Sequence, residues 1–460
     1  MASEIAAIVG GVLHGDDVSI TAPAFLSSGN CIPGSIFLAI KGENVDGHDY
    51  VGDAFKNGAL LALTSHQVSQ RCIVVEDVTR AISALAAHVR HELTELIVIG
   101  ITGSQGKTTT KELLAGILSA EGVTVSPKGN NNNELGVPIT LLQCTRETQY
   151  CIVEMGARHQ GDIAALAKIA APQVGVVLRV AAAHIGEFGS IETIAETKSE
   201  MISTLREDGI AILGQYDEYT PKMKPLHKGK ALFFGETSSA DVRATDIELR
   251  EGRPHFDLVT PEGRSTVALR LYGEHQISNA LAAAAVAHTL GISTDHIAGA
   301  LSTAEVHARW RMEVKELHDL TIINDAYNAS PDSMAAALRT LVHLTQERGG
   351  ESWAFLGNMR ELGESSRQAH GEIGTLASSL GVDHLVTVGA PDYAIGIGEN
   401  SPISIHNCVD KAEALIFAEH LNRGDVLLCK ASRSDGLEVL AENIEKFWIS
   451  KIESEEGVNE

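Results

Sequence analysis

The stretch Leu96-Ile97-Val98-Ile99-Gly100-Ile101, followed at once by Thr102-Gly103-Ser104-Gln105-Gly106-Lys107-Thr108-Thr109-Thr110, decides the fold. An apolar run rich in β-branched residues must be covered on both faces, which predicts a buried parallel strand. A glycine turn follows and opens a helix marked by Leu113, Leu114, Ile117 and Leu118. Strand, Gly-Lys-Thr turn and helix together make a phosphate cradle. Backbone N–H groups and the positive helix end face the anion, and Lys107 adds a mobile positive charge. Thr108 offers a hydroxyl to the Mg²⁺ that travels with a nucleoside triphosphate. Ile101 stands where the strict P-loop pattern has its first glycine, so this loop starts at Gly103 and is short. A turn that only joins strand to helix has no need of Lys-Thr at the helix start. The reading is nucleotide binding.

A chain of 460 residues, at roughly 150 residues per domain, has room for three domains. Aromatic residues are only 4% of the chain, so its cores must rest on Ala, Val, Leu and Ile. The 60 acidic against 36 basic residues give a formal charge of −24. Such a surface repels nucleic-acid phosphates and anionic lipid, which argues against either as the main partner. An anionic substrate must then be captured by a local positive site such as Lys107. No basic segment precedes the short apolar run after Met1, and no stretch reaches the roughly 18 apolar residues of a spanning helix. Cys31, Cys72, Cys144, Cys151, Cys408 and Cys429 form no C-x-x-C pair and read as buried free thiols. A cytoplasmic protein without membrane insertion is expected.

Three units emerge along the chain. Residues 1–94 hold short strands at 35–40, 60–63 and 72–75 and a helix from Thr79 to His91, a small α/β unit. Residues 95–308 hold the P-loop and then Lys128-Gly129-Asn130-Asn131-Asn132-Asn133-Glu134, whose asparagines alone would read as a polar loop. The strand Tyr150-Cys151-Ile152-Val153-Glu154 ends in a carboxylate at the sheet edge where ligands of open α/β sheets bind, placing Glu154 within reach of the metal of Thr108. A further strand over 174–178 runs into Arg179 and His184, and the helix after it carries Lys198. A β section from Leu232 to Leu271 and an Ala-rich helix from His275, with Asn279 its polar exception, complete the unit. Residues 309–460 alternate strands (321–323, 353–356, 385–388, 426–428) with helices, which implies a parallel sheet with right-handed crossovers. The acidic tail from Glu453 reads as disordered.

The order of motifs resembles the Mur ligases. The resemblance is carried by the P-loop run with Lys111, Asn-Asn-Glu-Leu-Gly-Val-Pro (132–138), Glu-Met-Gly-Ala-Arg (154–158) and Ala-His-Ile-Gly-Glu-Phe-Gly-Ser (183–190). Asn-Asp-Ala-Tyr-Asn-Ala-Ser-Pro-Asp-Ser-Met (324–334) and Lys-Ala-Ser-Arg (430–433) extend it over essentially the whole chain. It implies an α/β fold of three domains: a small N-terminal α/β domain for a UDP-sugar (1–94), a central P-loop parallel-sheet ATPase (95–308) and a C-terminal Rossmann-like domain for the amine acceptor (309–460). Within the family, segments 132–138 and 327–334 resemble the branch that joins D-alanyl-D-alanine to UDP-N-acetylmuramoyl-tripeptide in peptidoglycan synthesis, with ATP and Mg²⁺ and as a monomer.

By the same resemblance Gly103, Ser104, Gln105, Gly106, Lys107, Thr108 and Thr109 cradle the nucleotide, with Asn279 on its adenine side, Arg311 at phosphate and Asp325 a ribose- or nucleotide-side carboxylate. Thr108, Glu154, His184 and a carbamylated Lys198 would hold metal, and Lys107, Glu154, His184 and Lys198 would carry catalysis. Ser28, Asp46, His48, Asn132, Asn133, Asn328 and Arg433 would face the substrates. Four departures stand out. Leu26-Ser27-Ser28-Gly29 replaces a Thr-Asp-Ser-Arg-like run, Arg179 replaces an asparagine, Gln276 replaces an asparagine beside His275, and Asn358 replaces an acidic residue. A sibling ligase adding the third residue, a folylpolyglutamate synthase and a non-catalytic ATP-binding scaffold are the alternatives.

Overall fold

The computed structural model describes residues 1–42, 44–127, 129, 131–182, 185–306 and 309–457. Three sheets follow one another along the chain, each in an α/β domain. The first has five strands in the spatial order Val12–His14, Cys72–Val74, Leu61–Thr64, Ile36–Leu38, Ala24–Phe25. All its pairings are parallel except that of Val12–His14. The helix Val78–Glu92 starts at Asp77, whose side chain accepts from Arg80 N at 3.0 Å, an N-cap that satisfies an otherwise orphaned amide. Its buried face (Val78, Ala81, Ile82, Leu85, Ala86) belongs to a core shared with the central domain. Arg90 ties the two together through the carbonyls of Ala170 (3.0 Å) and Ala171 (3.1 Å).

The central sheet has nine strands: Gly263–Ala268, Arg253–Thr260, Val242–Arg250, Lys230–Gly235, Ile210–Gly214, Val174–Val177, Ile97–Thr102, Tyr150–Glu154, Thr124–Val125. The P-loop strand Ile97–Thr102 lies between Val174–Val177 and Tyr150–Glu154, parallel to both and buried on both faces beyond its first residue. The sheet is not parallel throughout. Turns too short for a crossover helix fold Arg253–Thr260 and Gly263–Ala268 back as an antiparallel extension. Their alternating burial leaves one face toward solvent, and strand structure ends at Ala268, short of the expected Leu271. The Ala-rich helix Gln276–Thr289 packs on the P-loop helix Lys107–Glu121, with Ala280 to Ala287 wholly buried. Small side chains let these helices approach closely, which is how a chain poor in aromatics fills its core.

The C-terminal sheet runs Glu313–Leu317, Leu320–Asn324, Val426–Lys430, Ser352–Leu356, His384–Val388, Ser404–Cys408, parallel except for its first strand. Helices Pro331–Arg348 and Ser366–Leu380 cover one face, and Lys411–Leu415 and Leu437–Gly457 the other. The acidic tail is ordered as helix through Gly457, against expectation. Buried Trp448, donating Nε1–H to Leu317 O at 2.9 Å, and buried Ile452 anchor one face, and glutamates favour helix on the other. Residues 458–460 lie outside the described residues. The six cysteines are buried and free. Among the described residues no helix is long and apolar enough to cross a membrane.

Candidate nucleotide and metal site

The loop after Thr102 turns on Gly106, whose φ of +83° lies in the left-handed region. A Cβ there would also run into Asn279 Oδ1, so the close approach of the Ala-rich helix requires glycine twice over. Ser104 fixes the loop to the neighbouring strand end. Its amide donates to Arg179 O (2.9 Å), and its hydroxyl donates to Ala181 O (3.0 Å) and accepts from Ala181 N (2.9 Å). Lys107 begins the helix and folds back to donate from Nζ to Gly103 O at 2.7 Å. Burial lowers its pKa, Glu154 opposes that shift, and Arg311 adds to it.

Beneath the loop, Glu154 is fully buried at the carboxyl end of its strand. Thr108 Oγ1 donates to its Oε2 at 3.3 Å, while Oε1 has no hydrogen-bond partner. Lys111 Nζ stands 3.6 Å from Oε1 but donates to the carbonyls of Pro127 (2.7 Å) and Gly129 (2.8 Å). A buried carboxylate oxygen left without a donor fits a hard divalent cation, which takes oxygen ligands, so Thr108 and Glu154 suit Mg²⁺. The role of Lys111 was not read from the sequence, although it lies one helical turn after Lys107 on the same face. Asn132 and Asn133 join this corner. Gly156 N donates to Asn132 O at 2.8 Å, and Asn133 Oδ1 accepts from Gly136 N at 3.0 Å.

Lys198 is buried on the helix Ile191–Ser203 and has no hydrogen-bond or ion-pair partner among the described residues. Burial, with Lys107 nearby, pushes its pKa down to about 7. His184, the remaining expected metal ligand, lies outside the described residues.

A cavity of about 150 Å³ opens between the central and C-terminal domains and is lined by most of the expected nucleotide residues, Ser104, Gln105, Gly106, Thr109, Asn279, Arg311 and Asp325, and by Asn328, but not by Gly103, Lys107 or Thr108. Asn279 Nδ2 donates to Gln276 Oε1 at 2.8 Å, so the glutamine departure is absorbed within the helix. Arg311 stacks on the Tyr327 ring at 3.8 Å. Asp325 pairs with Lys430 at 2.5 Å and accepts from Met312 N at 2.9 Å. Gln105 bridges the domains, donating to Ser330 Oγ at 3.1 Å. A second cavity of about 320 Å³ continues past Gln105 and Arg179 to Glu236 and Arg339. His275 lines both, its pKa lowered to about 4 by burial. The sequence reading missed Lys430 and His275 as cleft residues. Their signals were a lysine ending a strand and a histidine opening a helix.

The remaining residues lie elsewhere. Ser28, Asp46 and His48 follow strands at the carboxyl edge of the first sheet. Asp46 Oδ1 lies 2.6 Å from His48 Nδ1, whose Nε2 accepts from Ser65 N at 3.0 Å, so this pair is already satisfied locally. Arg433 pairs with Glu438 at 2.5 Å and stacks on Trp310 at 4.2 Å.

Comparison with known proteins accounts for all three domains. Residues 26–100 match the model described as Mur ligase family, catalytic domain. Residues 101–287 match the Mur ligase middle domain, and 310–433 the model described as Mur ligase, glutamate ligase domain. The chain is 39% identical to UDP-N-acetylmuramoyl-tripeptide–D-alanyl-D-alanine ligase of Mycobacterium tuberculosis over 96% of each chain. It is 34% identical to the Escherichia coli enzyme of that name over 95% of this chain and 96% of the other. A crystal structure of MurF from Acinetobacter baumannii superposes with a TM-score of 0.86 at 34% identity, covering 97% of this chain and 98% of that one. MurF ligase from Thermotoga maritima, solved in complex with ADP, gives 0.80 at 31% identity over 94% and 99%. The chain belongs to the Mur ligase family.

Proposed function

We propose that this protein is an ATP-dependent, ADP-forming amide ligase that joins D-alanyl-D-alanine to UDP-N-acetylmuramoyl-tripeptide in cytoplasmic peptidoglycan precursor synthesis. One observation carries the reading: enzymes of that name match the chain over nearly its whole length. The ADP complex of the Thermotoga maritima relative supports ATP as the donor. We assign residues 1–94 to the UDP-sugar, 95–308 to ATP and 309–460 to the acceptor.

Two anions meet in the first step. A carboxylate oxygen of the tripeptide attacks the γ-phosphorus of ATP, the bond to ADP breaks, and an acyl phosphate forms. The Gly103–Thr109 loop and Lys107 neutralise and orient the transferring group. Mg²⁺, when bound, supplies further neutralisation, and Thr108, Glu154, His184 and Lys198 as a carbamate would hold it. An uncharged Lys198 amine is the form that adds CO₂, and a buried lysine without a partner gains a ligand role by becoming an anion. Asn279, Arg311 and Asp325 hold the rest of the nucleotide in the interdomain cleft. In the second step the dipeptide amine attacks the acyl carbon, phosphate leaves, and the amine loses a proton. Bringing a neutral amine to that carbon is a task of orientation, served by the C-terminal domain. Ser28, Asp46, His48, Asn132, Asn133, Asn328 and Arg433 line the substrate side in this reading.

Purified protein with ATP, Mg²⁺, UDP-N-acetylmuramoyl-tripeptide and D-alanyl-D-alanine should release ADP and form the pentapeptide only when all are present. ADP release indifferent to the dipeptide overturns the reading.

A further inference from the structure

In the C-terminal sheet the connections diverge around the strand Val426–Lys430. Strands Ser352–Leu356 and Val426–Lys430 are parallel neighbours, yet the helices that follow them cover opposite faces. Loops 357–363 and 431–436 therefore part at their carboxyl ends, and such a switch point is where open α/β sheets take ligands. This crevice is held by many bonds. Asp435, which is 7% exposed, accepts from Asn358 N, Asn358 Nδ2 and Arg360 Nε, each at 2.8 Å. Ser432 Oγ accepts from Arg360 N at 2.9 Å, and Tyr393 donates to Gly357 O at 2.7 Å. An acidic residue at position 358 would set a second carboxylate against Asp435, whereas the asparagine found here donates to it.

The cations nearby differ in what remains to them. Lys430 serves Asp325 and Asn328 O, and Lys411 serves the carbonyls of Asp435 and Gly436. Arg433 is held by Glu438 and Trp310. Arg360 is 58% exposed and uses only Nε, so both terminal nitrogens stand without a partner among the described residues. A guanidinium fixed by Nε and open at its fork matches a carboxylate.

The loop that carries Arg360 also rests on the central domain. Gly186 N donates to Glu361 O at 2.9 Å, and a Cβ on Gly186 would come within 2.9 Å of Gly363 N. Glu361 takes a φ of +71°, a strained conformation for a side-chain-bearing residue that this seam maintains. Gly186 lies in the short helix Ile185–Phe188, directly ahead of the helix that carries Lys198. The geometry points to Arg360 as the residue that captures the free carboxylate of the amine acceptor, with Asp435 and Asn358 as its positioning residues. This assignment rests on the ligase reading above. A dipeptide held by its carboxylate spans about 7 Å when extended, which leaves its amine free to face the central domain. In a chain of charge −24, the carboxylate of the acceptor needs such a local cation.

Steady-state kinetics with D-alanyl-D-alanine and with D-alanyl-D-alaninamide, which lacks the carboxylate, test this. The wild type should favour the acid over the amide by about tenfold or more, the size of one charge-assisted contact. Arg360→Met should raise KM for the acid by a similar factor, leave kcat within about threefold, and abolish the preference. Arg360→Lys should recover part of it. Asp435→Asn should weaken the preference while leaving KM for ATP unchanged, which a merely structural loss would not do. A wild type indifferent to amidation, or an Arg360→Met enzyme that keeps its preference, overturns the assignment. A wild type without dipeptide-dependent product overturns the ligase reading, and the assignment falls with it.

Discussion

Two buried lysine–carboxylate pairs stand at the carboxyl ends of the two larger sheets, and they are finished to different degrees. Lys430 meets Asp325 at 2.5 Å and donates to Asn328 O at 2.8 Å, while Asp325 also accepts from Met312 N. Every charge there has a partner. Lys111 and Glu154 lie 3.6 Å apart, the lysine turned to backbone carbonyls and the carboxylate left with a single 3.3 Å bond from Thr108. Burying an unpaired carboxylate oxygen is costly, and native sites tolerate it where something else completes the set. The finished pair holds strand ends together across the cleft floor. The unfinished one suits a ligand.

The sharpest way to break this contrast is Glu154→Gln. It keeps the shape, removes the charge, and should lower turnover by about 10³-fold, the scale of losing one preorganised group at a phosphoryl-transfer centre. Thermal unfolding should change little, because only a long 3.6 Å ion pair is lost and Lys111 keeps its two carbonyl acceptors. Lys430→Met should act on stability first. Breaking a completed buried pair strands Asp325 and should cost about 3–5 kcal/mol of stability in urea unfolding. If Glu154→Gln destabilises the fold as much as Lys430→Met, the two pairs are alike and Glu154 is structural.

Sequence made the unfinished site legible in part, because its pieces are local patterns. The apolar run before Gly103 could only be a covered strand, and the carboxylate ending Tyr150–Glu154 could be placed at a sheet edge by topology alone. Tertiary contacts were not legible. Nothing in the spacing says that Lys111 turns to Pro127 and Gly129, or that Asn279 needs Gly106 to have no side chain. Short edge strands such as Val12–His14 and Ser404–Cys408 carry too little pattern to be seen. The tail misled because net charge hides an amphipathic face, and Trp448 and Ile452 outweigh the glutamates around them.

Lys198 extends the comparison, since it is a buried lysine with no carboxylate partner among the described residues. Lys430 is satisfied as a cation and Lys111 is nearly so, whereas Lys198 shares its surroundings with Lys107 and is pushed to about 7, by burial first and then by that neighbour. On the proposed reading, a second cation there would serve no phosphate that Lys107 does not already serve. It would also repel the divalent ion that the open oxygen of Glu154 suits. Conversion to a carbamate removes both objections and adds an oxygen ligand. Lys198→Ala should therefore reduce turnover by about tenfold to a hundredfold, less than Glu154→Gln, since one ligand of several is lost. A short carboxylic acid such as acetate should restore part of that activity in the variant and leave the wild type unaffected. Rescue by a small amine in place of the acid would show that the lysine acts as an ammonium, and the graded series of three lysines would reduce to two.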